Sequence, residues 1–143
     1  MRAMRSQAGV MLIEALIGIL IFSIGILALI GMQATAMRNT ADARYRSEAS
    51  FLATEVIGRM WIDIANLGNF DKDYSGTFPA RDDWETKVSE TLPGVDLTGA
   101  TRPTIEVDTV TGEVTVSVFW LQPGETSTRR LQMVNRVKGA ATP

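Results

Sequence analysis

Residues 10–32 form an unbroken apolar run in which Glu14 is the single ionisable residue. A run of this length is enough to span a bilayer, and the core helix of a soluble domain rarely needs one. A carboxylate inside a membrane segment is costly, about 2.5–3.5 kcal/mol at mid-helix on insertion scales and less near an end. An ionisable residue there is a functional hypothesis by default. A short basic leader, residues 1–9 with Arg2 and Arg5, comes before the run.

Beyond the run, about 110 of the 143 residues remain, enough for one small globular head. The chain has no cysteine and no histidine. That excludes a disulfide framework and any site built on thiolate or imidazole. The formal charge is −2, or −4 without Arg2 and Arg5, which gives nucleic-acid binding little electrostatic support. No cofactor is expected. Catalysis has no footing either, because the serines and threonines lack a histidine partner and no phosphate-cradling glycine loop is followed by Lys-Ser or Lys-Thr. The adjacent Asp82 and Asp83 read as helix-capping residues more readily than as an acid–base pair.

A basic start followed by an apolar run suggests export. Read as a secretory signal, it offers a small-x-small site at Ala34-Thr35-Ala36, but its apolar region is about 23 residues where roughly 7 to 15 are usual. Charge bias does not orient the segment, since Arg2 and Arg5 on one side face Arg38, Arg44 and Arg46 on the other. The shortness of the leader favours leaving it in the cytoplasm.

A cut on that side, before the apolar run, is the alternative. Gln7-Ala8-Gly9 followed by Val10-Met11-Leu12-Ile13-Glu14 resembles the leader of type IV prepilins, with a glycine before the cut and a glutamate five residues into the mature chain. The stretch from Glu14 through Phe22-Ser23-Ile24-Gly25 to Gly31-Met32-Gln33-Ala34 is similar to the PilV group of minor pilins, the pilus modification proteins. The resemblance is strong over about the first 60 residues. It implies cleavage between Gly9 and Val10 by a prepilin peptidase, methylation of the new Val10 amine, and assembly through Glu14. Two departures stand out: Val10 occupies the position where many pilins have phenylalanine, and neither a proline at Gly31 nor a disulfide-closed loop is present. By resemblance, the second argues for a minor subunit over the bulk building block, and the first bears on methylation of the new amine.

Given that cut, the positive amine of Val10 lies one helical turn from the Glu14 carboxylate at the edge of an apolar rod. If such rods pack side by side, each carboxylate can neutralise an amine on a neighbour, and leaving either unpaired costs several kcal/mol. Gly18, Gly25 and Gly31 recur six to seven residues apart, and small residues let helices approach closely where packing replaces the hydrophobic effect.

The helical pattern continues past Met32. Tyr45, Ala49, Leu52, Val56, Met60 and Ile64 recur as one apolar stripe, with Arg44, Ser47, Glu48, Glu55 and Arg59 opposite. The expectation is one continuous helix from about Val10 to about Asn66, roughly 85 Å at ~1.5 Å per residue, ended by a glycine signal at Leu67-Gly68-Asn69. Asp83 would cap a short helix over 84–92, closed by Pro93-Gly94.

For the sheet, Ile105, Val107 and Thr109 alternate with acidic residues, Thr111-Gly112 makes a turn, and Val114, Val116, Val118 and Trp120 alternate again. A two-residue turn would pair Thr109 with Val114, Val107 with Val116 and Ile105 with Val118. Pro123-Gly124 marks the next turn, and 130–137 reads as a third strand with Leu131 and Met133 inward.

The segment from Asp71 through Asp73, Ser75 and Gly76 to Asp82 matches part of a calcium loop: oxygen ligands at positions one, three, five and twelve, and glycine at six. Asp82 replaces the longer glutamate needed for bidentate ligation, Pro79 is unusual, and no second loop accompanies it. The sequence favours a solvated acidic loop.

Together these readings give an α+β, pilin-like fold, a long N-terminal helix with a transmembrane first half, packed on a small antiparallel sheet. The expected divisions are a leader at 1–9, a membrane or filament-core half at 10–32, an amphipathic half at 33–66, and a periplasmic head at 67–143. The resemblance implies a structural subunit that primes or modifies type IV pilus assembly and supports adhesion and twitching motility. Its partners would be other pilin subunits, the prepilin peptidase and the inner membrane before the cell-surface pilus, and not nucleic acid. A minor pseudopilin of type II secretion uses the same leader and helix. A non-polymerising single-pass protein, or a secreted domain freed after Ala36, is the reading from another class.

Overall fold

The computed structural model describes residues 7–137. The first helix, α1, runs Gln7–Ile62. The chain divides into two compact units, Met1–Thr40 and Ala41–Pro143. The first is the apolar part of α1. The second, α+β in class, takes the rest of α1 and packs it on a three-stranded antiparallel sheet.

The stripe read from the sequence is the spine of the second unit's core. Ala49, Leu52, Ala53, Val56, Ile57 and Met60 are buried, and Tyr45 and Ile64 pack at its ends half-buried. The helix stops earlier than expected. Asp63 leaves the helical region (φ −119°, ψ 52°), and its carboxylate accepts a hydrogen bond from Asn66 Nδ2 at 2.8 Å. Short aspartate side chains compete for hydrogen bonds in this way and disfavour helix interiors. Residues Ile64–Phe70 continue as 3-10 turns interrupted at Asn66, and they bury Leu67 and Phe70. Gly68 therefore lies inside that segment and not at a helix-ending left-handed position; positive φ among the described residues is confined to Gly94, Gly112 and Gly124.

The second helix, α2, spans Pro79–Thr91, starting five residues before the expected 84–92. Pro79 sits in its first turn, where a missing N–H costs nothing and the fixed φ is already helical. Asp82, not Asp83, serves the N-terminus: its carboxylate reaches back to the Phe78 N–H at 3.3 Å. Trp84 and Val88 fill the core from α2, and Trp84 Nε1 donates to the Leu52 carbonyl of α1 at 2.9 Å.

Strands β1 (Thr104–Asp108), β2 (Glu113–Leu121) and β3 (Thr128–Arg136) pair in that order. The alternation is as expected, with Ile105, Val114, Val116, Val118 and Trp120 buried and Leu131 and Met133 half-buried against them. The register is not. Ile105 pairs with Val116 and Val107 with Val114, two residues away from the pairing a two-residue turn would give, and Thr109 lies outside the strand. The connection is four residues long. The Asp108 carboxylate accepts the N–H groups of Val110 and Thr111, the Gly112 N–H closes on the Asp108 carbonyl at 2.7 Å, and Gly112 takes φ +70°. The bonds from Thr111 and then Val110 hold the Asp108 carboxyl below its ordinary value. Because side chains alternate with period two, a slip of two residues leaves every apolar group on the core face.

Trp84 is the largest side chain joining α1 to α2. Trp84→Ala is expected to destabilise the protein by about 3–5 kcal/mol, and Trp84→Phe, which loses only the hydrogen bond and some ring area, by about 1 kcal/mol. Urea unfolding followed by tryptophan fluorescence measures both.

Candidate functional site

The first unit presents the proposed processing and assembly residues on one uninterrupted helix. Residues 9–40 are all exposed, and the large apolar side chains from Val10 to Met37 keep 43–73% of their surface accessible. By length and composition this helix can cross a membrane. Gly9, Val10 and Glu14 lie on it, all exposed, with Val10 and Glu14 four residues apart and hence on one face. Gly18, Gly25 and Gly31 leave open space beside the backbone, with no atom of the chain within reach of an added Cβ. The Ser23 and Thr35 hydroxyls donate to the carbonyls four residues earlier, Ile19 at 2.7 Å and Gly31 at 3.1 Å. Within the leader, residues 1–6, including Arg2 and Arg5, lie outside the described residues.

The acidic loop at 71–82 has a cation of its own. Arg81, 6% exposed, donates from Nη1 to the carbonyls of Asp71 (3.0 Å) and Tyr74 (3.3 Å) and from Nη2 to the carbonyl of Gly76 (3.2 Å). Its Nε and Nη2 also bond Asp82 Oδ1, at 3.0 and 2.9 Å, and its guanidinium lies 5.9 Å from the Tyr74 ring centroid. Carbonyls that might have turned toward a metal are spent on a guanidinium.

The carboxylates are spent too. Asp71 accepts the Asp73 and Val107 N–H groups, at 2.7 and 2.6 Å, and Asp82 holds Arg81 and the Phe78 N–H. Among the described residues no group of three or more acidic side chains is arranged to hold a metal ion. The Tyr74 ring lies over Gly76, 2.7 Å from where a Cβ would stand, so a larger residue there would displace that ring.

Several other charges of the head are paired structurally. Glu85, largely buried, takes Arg102 through both carboxylate oxygens, the shortest contact being 2.9 Å. Glu55 accepts Lys87 at 2.7 Å and Arg59 at 2.8 Å. The Lys87 hydrogen bond, aided by Arg59, holds the Glu55 carboxyl below its ordinary value, so the pairing stabilises the fold above the ordinary glutamate pKa and is lost as pH falls through the lowered one.

Comparison with family models, with curated proteins and with solved structures finds no match to this chain.

Arg81 is the residue that the sequence reading missed. It falls outside the ligand positions of a calcium template, and only the backbone path from 71 to 78 reveals which carbonyls it meets. Calcium titration of the full chain in detergent is expected to show no binding tighter than about 1 mM, the weak end for extracellular modules. Tighter binding abolished by Asp71→Ala and Asp73→Ala would reverse that expectation. Arg81→Leu is expected to cost about 1–3 kcal/mol in urea unfolding, because it leaves three part-buried carbonyls and Asp82 without their donor.

Proposed function

We propose that this chain is a prepilin-like structural subunit, held in the inner membrane by the apolar part of α1, cut after Gly9, and drawn into a helical filament through that same segment. The supporting observation is the continuous helix Gln7–Ile62, whose exposed, apolar residues 9–37 carry a lone carboxylate four residues after Val10. A surface of that kind needs a covering of lipid or of other apolar helices. Cleavage would put a positive amine on Val10 one turn from Glu14, giving each subunit one positive and one negative group close together at one end of the rod. Within this reading the chain is a minor pilin that primes or modifies type IV pilus assembly, serving attachment and twitching motility. The leader motif, the absence of cysteine and the small head support that assignment.

Processing is the direct test. Mass spectrometry of the mature protein from its host is expected to give an N-terminus at Val10, methylated on the amine. A chain beginning at Met37 would replace the filament reading with that of an ordinary secreted domain. Gly9→Trp is expected to leave the precursor uncut.

Assembly is separable from insertion. Glu14→Leu removes the charge from the apolar run, so insertion is expected to hold or to improve by up to about 3 kcal/mol, with cleavage retained. Incorporation is expected to fail, since an unpaired buried amine is penalised more than a pair is rewarded. The mutant should accumulate as a processed membrane protein and be missing from sheared filaments. Normal recovery there would refute the pairing role.

A further inference from the structure

The head is acidic: residues 41–137 contain fifteen Asp and Glu against ten Lys and Arg. One cleft of about 430 Å³ runs against that balance, lined by Asp42 and Arg46 of α1, Trp120 of β2, and Ser127, Thr128, Arg129 and Arg130 at the start of β3. Strand pairing assembles it. Trp120 lies opposite Arg129, and Phe119 opposite Arg130.

Arg46, Trp120, Arg129 and Arg130 offer only donors from their side chains, the Ser127 and Thr128 hydroxyls can donate or accept, and the one carboxylate, Asp42, is engaged by Arg129. Arg129 gives Nη1 to Asp42 at 3.4 Å and Nη2 to Glu125 at 3.2 Å, which leaves its Nε buried with no acceptor. Trp120 is 2% exposed, and its Nε1 is also buried with no acceptor. The fold can satisfy an indole where it needs to, as Trp84 shows by donating to Leu52. A buried N–H left unpaired costs about 1–3 kcal/mol, and native structures rarely keep two such groups side by side without a reason. At the mouth, Arg46 and Arg130 are exposed, and neither has a carboxylate partner among the described residues.

We propose that this cleft binds an oxyanion, a phosphate or carboxylate group on a small ligand. Trp120 Nε1 and Arg129 Nε are the inner donors, Arg46 and Arg130 supply the charge, and the Ser127 and Thr128 hydroxyls add further donors. An acceptor-only ligand is what a donor-rich cleft selects when its one carboxylate is already paired. A neutral sugar brings as many donors as acceptors and leaves both mouth guanidiniums unmet. A nucleic-acid strand carries phosphates in series and would meet the acidic surface beyond this one cleft. The site is independent of processing at Gly9 and of Glu14.

The test uses the full chain, ¹⁵N-labelled in uncharged maltoside micelles, and follows its three tryptophan indole N–H resonances. The Trp120 signal is the one lost in Trp120→Phe, and the Trp84 signal reports that the core is intact. Inorganic phosphate and glucuronate are titrated separately at constant ionic strength. The Trp120 resonance is expected to move saturably with at least one of them, with half-saturation below about 10 mM. Saturation by phosphate assigns a phosphate-bearing ligand, and saturation by glucuronate an acidic sugar. Arg46→Gln with Arg130→Gln is expected to raise half-saturation at least about tenfold, the loss of one to two charged hydrogen bonds. Arg136→Gln, on the same strand but outside the cleft, should leave it unchanged. No saturation by either probe up to about 50 mM, or equal binding by the double variant, overturns the proposal.

Discussion

The α1 helix has two surfaces that obey opposite rules. From Ala49 to Met60 it hides one apolar stripe completely and turns its charges outward, which is the arrangement water demands. From Val10 to Met37 its large apolar side chains are exposed. The hydrophobic effect makes the first surface stable as it stands and requires a covering for the second. Everything else in the chain follows from that difference: a head small enough to be organised on one stripe, and a segment whose chemistry is set by whatever surrounds it.

Within the head, the core is organised by few large residues. Trp84 and Trp120 approach it from opposite sides, one from α2 and one from the middle strand, and both are almost wholly inaccessible. They differ in their polar handles. Trp84 finds a carbonyl, and Trp120 finds none. Ion pairs at Glu55 and Glu85 lie around this core and tie α2 to α1 and to the segment before β1. They are partly exposed and add specificity of docking more than stability.

The sequence was most informative where periodicity is long. The stripe from Tyr45 to Ile64 and the alternation from Val114 to Trp120 both stand as read, because burial of a face is what periodicity measures. It was less informative where a few backbone angles decide. The hairpin register slipped by two because alternation is blind to even shifts, and a four-residue turn closed by Asp108 and Gly112 is favoured over the two-residue one. The end of α1 moved from Asn66 to Ile62 through the behaviour of one aspartate. For the loop, the acidic spacing was legible, but its counter-cation was not: Pro79, which looked out of place in a calcium loop, is the start of the helix that delivers Arg81. The cleft at Trp120 was invisible because its residues, from Asp42 to Arg130, meet only after strand pairing.

The glycines of the apolar segment carry a consequence for how such rods are matched. Gly18 and Gly25 stand seven residues apart on nearly one face, so in the proposed assembly a neighbouring helix seated on one notch finds a second about 10 Å further along, whereas Gly31, six residues on, is turned about 120° away. The hydroxyls of Ser23 and Thr35 offer no landmark, being closed on their own carbonyls. On the proposed reading, a face with two like notches would set how closely helices approach and leave their relative height ambiguous by one seven-residue step. Glu14 occurs once. In the proposed filament a singular charge beside two like seats would be the zero mark that chooses between them.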